Sequence, residues 1–324
     1  MTDKDKGQIT VVGAGLMGTA IATLCAGYGY RVRVCDPAQA MLDSFAERAG
    51  PVAAYLSETV PGAGNAMDRI HLGPDLAPAV EGSFLVQEAI HEDMAAKQAL
   101  FEELDRLCAP EVLLATNTSS LMLTEIGRGL VHKARFLGIH YVSPAHLVRA
   151  VEIIATADTA PATTEAGKSF LATIDRTGIL CRDHPGFLIN RIQYALKAEL
   201  MRIVDEGTAT VEDIDTAVRL SIGPRLALWG PMLQEDLSTS KATVGAVSAY
   251  LAEALDQPHY LAAPVLGRLV EAGETGAAAG AGWYAWTRDR AGIAAERDRQ
   301  LDALLTWLRD NDRRSELGMT PRAF

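Results

Sequence analysis

Between Phe136 and Ile154 the chain reads FLGIHYVSPAHLVRAVEII, and two of its residues could do acid–base chemistry. His140 ends one apolar run, and Glu152 sits inside a second. An imidazole exchanges protons near neutral pH, and a carboxylate on its other nitrogen fixes the tautomer and stabilises the protonated ring. A glutamate in an apolar strand would otherwise be an unpaired buried charge, so a partner is required. The separation lets the chain leave one strand, turn at Pro144 and return along the next. His140 and Glu152 are therefore expected to meet.

A second constellation opens the chain. Gly13-Ala14-Gly15-Leu16-Met17-Gly18 is GxGxxG, a weak signal by itself. Here it follows an apolar strand (9–12) and opens a helix (16–29), and a second strand (31–35) ends at Asp36. That completes the context of a dinucleotide site. Gly13 allows the tight turn, Gly15 lets backbone approach a pyrophosphate, and Gly18 lets helix and strand pack closely. Leu16 and Met17 belong to the same turn, where a helix N-terminus offers N–H groups to phosphates. Asp36 would accept hydrogen bonds from ribose hydroxyls and repel a 2′-phosphate. Pro37, Ala38 and Gln39 follow it with no positive charge, so NAD is the expected cofactor.

The elements that must hold these residues alternate. Strands are expected at 84–89, 112–119, 135–142, 150–154 and 178–182, with helices at 94–107 and 162–176. Alternation implies parallel pairing in a doubly wound sheet. After His184-Pro185-Gly186 the pattern becomes helical: one long amphipathic segment over 187–207, and another over 210–223 with Thr210 as N-cap and Gly223 at its end. A last amphipathic helix is expected at 290–310, after a Gly/Ala-biased loop at 273–282. The fold class is an α/β Rossmann-type N-terminal domain (1–185) followed by an all-α C-terminal domain (186–324).

Net charge is −11 with no Lys/Arg run, which argues against nucleic acid or an anionic membrane as partner. No apolar stretch reaches membrane-spanning length, and the polar start MTDKDKGQIT does not read as a signal peptide. Four scattered cysteines, without CxxC spacing or neighbouring histidines, suggest free thiols in the cytoplasm and no metal site. His71, His91 and His184 read as structural or surface residues.

With these pieces placed, the chain resembles the 3-hydroxyacyl-CoA dehydrogenase family over nearly its whole length. The resemblance rests on VGAGLMG, QEAIHED (87–93), ATNTSS (115–120), GIHYVSP…VEII (138–154), DHPGFLINR (183–191), GP…D (230–236) and GETG…GAGWYAW (273–286). It implies NAD-dependent interconversion of a 3-hydroxyacyl thioester and its 3-oxo form, by an enzyme whose helical domain builds a homodimer. Matched position by position, His140 is the catalytic histidine and Glu152 its partner. Ser119 and Asn190 complete the catalytic set, able to donate hydrogen bonds to the substrate oxygen. Glu92 and Lys97 match positions at the nicotinamide end of the cofactor site, and Asn117 is carried over to that site with them.

The chain also departs from the pattern. Ser143 stands where the family writes asparagine, which bears on how the substrate is held. Residues 37–80 contain Arg48 and Arg69 but no lysine, whereas fatty acyl-CoA members tend to carry lysines there. A hydroxyacyl group on an acyl carrier protein, of the polyketide extender-unit kind, would need no site for the CoA 3′-phosphate. SIGPRLALWGP (221–231) looks closer to the branch acting on free small hydroxy acids such as gulonate or carnitine, and Arg225 could pair with a substrate carboxylate. In a different class, the chain would be a non-catalytic NAD(H)-binding protein. The complete Ser119-His140-Glu152-Asn190 set argues against that.

Overall fold

The computed structural model describes residues 6–288, 290–318 and 320. Between Leu196 and Lys197 they divide into two compact units. In the first, eight strands form one sheet: β1 (Gln8–Val12), β2 (Arg31–Cys35), β3 (Ile70–Gly73), β4 (Ser83–Glu88), β5 (Leu113–Thr116), β6 (Phe136–Tyr141), β7 (Ala150–Ala155) and β8 (Thr177–Arg182). Their spatial order is β3-β2-β1-β4-β5-β6-β7-β8. The direction of winding reverses between β1 and β4, and ligands of open α/β sheets bind outside the strand ends at such a point.

All neighbours are parallel except β6 and β7. The exception corrects the expectation of parallel pairing and follows from chain length. Parallel neighbours need a crossover of about a dozen residues or more, and only 142–149 separate β6 from β7. The helix Pro161–Thr173 supplies that crossover between β7 and β8.

Strand side chains alternate between faces. Ile9, Val11, Leu137, Ile139, Val151 and Ile153 join one core, while Val12, Val86, Phe136 and Ile154 join the other. Both faces are covered, which is why these strands read as continuous apolar runs. The sequence reading passed over β3, a four-residue strand at the sheet edge with no fully buried residue.

The second unit is helical. Thr210 caps its helix as expected, accepting from Asp213 N at 3.1 Å. The chain does not stop at Gly223, however. The helix Val211–Ala217 passes through a π-helical turn, Val218–Ile222, into the helix Gly223–Trp229. A Cβ on Gly223 would lie 2.9 Å from the Val218 carbonyl oxygen, so this glycine accommodates the wide turn. Gly230, with φ 72°, makes the stop.

Asp236 organises the far end of the unit. Its carboxylate accepts from Trp283 N, Tyr284 N and Trp286 Nε1 at 3.0–3.1 Å and pairs with the Lys241 ammonium. Both side chains are fully buried. Removing one member of a buried pair strands the other, so Lys241→Met should cost about 3–5 kcal/mol of folding stability, measured by denaturant unfolding.

Candidate active site

The antiparallel register sets His140 directly opposite Glu152. Their Nδ1 and Oε2 atoms lie 2.7 Å apart, with Glu152 wholly buried and His140 7% exposed. The other carboxylate oxygen, Oε1, accepts from Leu188 N at 2.9 Å and Ile189 N at 2.8 Å, at the start of the helix Ile189–Asp205. The corner Gly186-Phe187 aims those N–H groups: both residues have positive φ, 75° and 50°. Such a conformation costs a phenylalanine about 1–3 kcal/mol. Burial of its ring beside His140, with centroids 6.2 Å apart, holds it there. An ionised Glu152 only accepts hydrogen bonds, so the imidazole proton is assigned to Nδ1 and Nε2 is left as an acceptor.

Burial alone would raise the Glu152 carboxyl above the ordinary carboxylate range. The hydrogen bond from His140 and the two backbone N–H groups outweigh it and hold the group below.

Across the sheet, Gly13 N donates to Cys35 O at 2.7 Å, closing the glycine loop against β2. A Cβ on Gly13 would come within 2.6 Å of Ala89 O, and one on Gly18 within 1.9 Å of Gly13 O. At Gly15, by contrast, a Cβ would meet nothing within 4 Å, so the loop opens there to a ligand. Gly15 precedes helix α1 (Leu16–Gly27), whose N-terminal N–H groups would face an incoming phosphate. The Asp36 carboxylate accepts from Ala14 N at 2.8 Å and Ala38 N at 2.9 Å. The residues present fit an NAD pyrophosphate and ribose.

The floor between these ends carries charge. Glu88 closes β4 and is fully buried, accepting from Ile90 N, Thr116 Oγ1 and the Lys97 ammonium. Lys97 also reaches Glu92, 3.3 Å away. Glu92 Oε1 accepts from Thr118 Oγ1 at 2.6 Å, Ser119 N at 3.0 Å and Ser120 N at 3.2 Å. Ser119 O accepts from Asn190 Nδ2 at 2.7 Å, and Asn117 Oδ1 from Tyr141 N at 2.8 Å.

One cavity of about 1000 Å³ joins these features. Its lining includes Gly13, Gly15, Leu16, Met17, Asp36, Glu92, Asn117, Ser119, His140, Ser143 and Asn190, all in the first unit. Gly18 packs beneath the loop. His91, read from the sequence as a structural or surface residue, is exposed and lines the cleft.

Two residues expected at the site have partners of their own. Lys97 is only 1% exposed and does not line the cavity, because its ammonium is engaged by Glu88 and Glu92. Arg225 lies in the second unit, where its guanidinium hydrogen-bonds Ser221 one turn back. Sequence reasoning missed Glu88 itself, although an acid ending the apolar strand FLVQE was a usable signal.

A doubly wound sheet whose glycine loop and ribose-level acid share one cleft with a histidine–carboxylate pair defines an NAD-dependent dehydrogenase. Residues 8–184 match the model of the 3-hydroxyacyl-CoA dehydrogenase NAD binding domain, and residues 186–286 that of the family's C-terminal domain. The chain belongs to the 3-hydroxyacyl-CoA dehydrogenase family.

A probable 3-hydroxyacyl-CoA dehydrogenase of Caenorhabditis elegans is 31% identical over 293 residues, 86% of this chain and 92% of that one. The crystal structure of a 3-hydroxyacyl-CoA dehydrogenase from Archaeoglobus fulgidus superposes with a TM-score of 0.76 at 27% identity, covering 93% of this chain and 99% of that one. A 5-formyl-3-hydroxy-2-methylpyridine 4-carboxylic acid 5-dehydrogenase superposes with a TM-score of 0.70 at 28% identity, covering 93% and 98%.

The depressed Glu152 carboxyl has a consequence for acid stability. A group whose folded value lies below its unfolded one stabilises the fold above the ordinary carboxylate range. That contribution is lost as pH falls through the ordinary value to the lowered one. Glu152→Gln should therefore flatten the stability profile as pH falls below about 5, read from denaturant titrations at successively lower pH.

Proposed function

We propose that this protein interconverts a 3-hydroxyacyl-CoA thioester and its 3-oxoacyl form with NAD, using His140 as acid–base group and Glu152 as its orienting partner. The observation that carries the reading is the 2.7 Å His140–Glu152 contact on the wall of the cleft that also holds the glycine loop. Gly13, Gly15, Leu16, Met17 and Asp36 would hold the cofactor's pyrophosphate and adenosine ribose, with Glu92 and Asn117 nearer the nicotinamide. When bound, NAD supplies the acceptor for the hydride leaving the alcohol carbon. His140 Nε2 takes the hydroxyl proton as that happens, and Glu152 stabilises the imidazolium. Ser119 and Asn190 supply hydrogen bonds to the substrate oxygen, and Ser143 lies where the acyl group would be held.

A second reading, in which a carrier protein presents the acyl group, is favoured by one observation. Arg48 is occupied beneath the glycine loop, donating to Ala14 O at 2.8 Å and Ser44 Oγ at 2.6 Å, and is not held out toward a CoA phosphate. We take the second unit as the substrate and dimerisation domain, its exposed Met201, Val247 and Tyr250 being residues a second copy would cover. Free thiols at Cys25, Cys35, Cys108 and Cys181 support a reducing, cytoplasmic setting. Among the described residues no helix is long and apolar enough to cross a membrane.

The test follows NADH absorbance with acetoacetyl-CoA and with its pantetheine analogue. His140→Ala should lower kcat by about 10²- to 10⁴-fold, and equal rates for variant and wild type would overturn the mechanism. Comparable kcat/KM for both thioesters would favour the carrier-bound substrate. NADPH should serve poorly, with Asp36→Ala narrowing the difference.

A further inference from the structure

Lys97 and Glu88 form an ion pair at 2.5 Å that is almost completely shut off from water, at 1% and 0% exposure. Every oxygen of Glu88 is engaged: Oε1 by Lys97 and Ile90 N, Oε2 by Thr116 Oγ1 at 2.5 Å. The ammonium has a second carboxylate within reach, Glu92 Oε2 at 3.3 Å. That contact orients the Glu92 carboxylate, whose other oxygen gathers the Thr118 hydroxyl and the Ser119 and Ser120 backbone N–H groups. The carbonyl of Ser119 then anchors the Asn190 amide. One chain of ion pairs and hydrogen bonds thus runs from the interior to Ser119 and Asn190.

A buried ion pair is weak evidence for stability, because apolar replacements of equal volume are often neutral or better. Its position under the Ser119 loop points instead to geometry. A displacement of about 1 Å at a reacting group can cost about 10²-fold in rate. We propose that Glu88 and Lys97 are positioning residues, which act through Glu92 to hold Ser119 and Asn190 at the substrate oxygen. The inference rests on the dehydrogenase reading, in which Ser119 and Asn190 face the reacting oxygen.

The experiment compares Lys97→Met, Lys97→Arg and the double variant Glu88→Gln/Lys97→Met in the full chain. It reads kcat and KM with acetoacetyl-CoA, NADH affinity by fluorescence, the melting temperature, and amide hydrogen exchange across 117–121. Lys97→Met should lower kcat about 30- to 100-fold while the NADH dissociation constant moves by less than about threefold. Lys97→Arg, which keeps the charge, should regain part of that loss. Exchange at Ser119 and Ser120 should quicken in Lys97→Met. The double variant removes both buried charges, so it should melt near the wild-type temperature yet keep the low kcat and the fast exchange. Should Lys97→Met fail to fold, the double variant carries the same comparison. Wild-type kcat in the double variant would overturn the proposal, making the pair a matter of stability alone. Weaker NADH binding with kcat preserved would overturn it too, by making Lys97 a cofactor ligand. If the wild type does not turn over acetoacetyl-CoA, the CoA-thioester reading fails separately, and unchanged exchange at Ser119 and Ser120 would still sink the clamp.

Discussion

A carboxylate with no access to water, Glu152, is the constraint on which the site turns. An ionised group in that position needs its oxygens satisfied, and two separate stretches of chain converge to do it. β6 brings the imidazole to one oxygen, and the residues opening the helix Ile189–Asp205 bring two N–H groups to the other. The hairpin between β6 and β7, the left-handed corner at Gly186-Phe187 and the start of the long helix all serve that one group. The same contacts decide which nitrogen of His140 faces the cleft. Folding and tautomer choice are here a single event.

The arrangement recurs. Glu92 accepts from Ser119 N and Ser120 N, Asp105 from Val131 N and His132 N, Asp183 from Leu123 N and Thr124 N, and Asp236 from Trp283 N and Tyr284 N. With Glu152, each of these acids ties down two consecutive backbone N–H groups of a loop or helix start far away in sequence. Orphan donors at such places must be satisfied somewhere. Part of the chain's acidic excess therefore serves its framework.

How much of this was legible beforehand depends on whether the signal was local. The glycine loop, Asp36 and the strand runs write their own geometry into adjacent residues, and the sheet follows from them. His140 and Glu152 were legible because a buried glutamate demands a partner and only a short return separates the two. Other features needed the third dimension. β3 is too short and too exposed to show a pattern. Gly223 looked like a helix stop, yet its neighbours form a π turn that wants a missing Cβ. Lys97 looked like a ligand of the cofactor because its motif places it there, but only packing reveals two carboxylates closing over its ammonium. Arg225 bonds Ser221 one turn back in its own run of helix, a partner the motif comparison does not weigh.

The hairpin that joins β6 to β7 has one more consequence. The pairing of His140 with Glu152 is written into the ladder itself, four residue pairs of backbone register to which the connection contributes length but no side chain. Residues 142–149 are the connection, and Ser143 belongs to it. On the proposed function, the proton-handling pair and Ser143 thereby belong to different parts of one supersecondary unit. Evolution could exchange the residues of the loop, asparagine for serine included, while the proton-handling pair stayed in register behind it. A family built this way can explore new acyl groups without inventing its catalyst again.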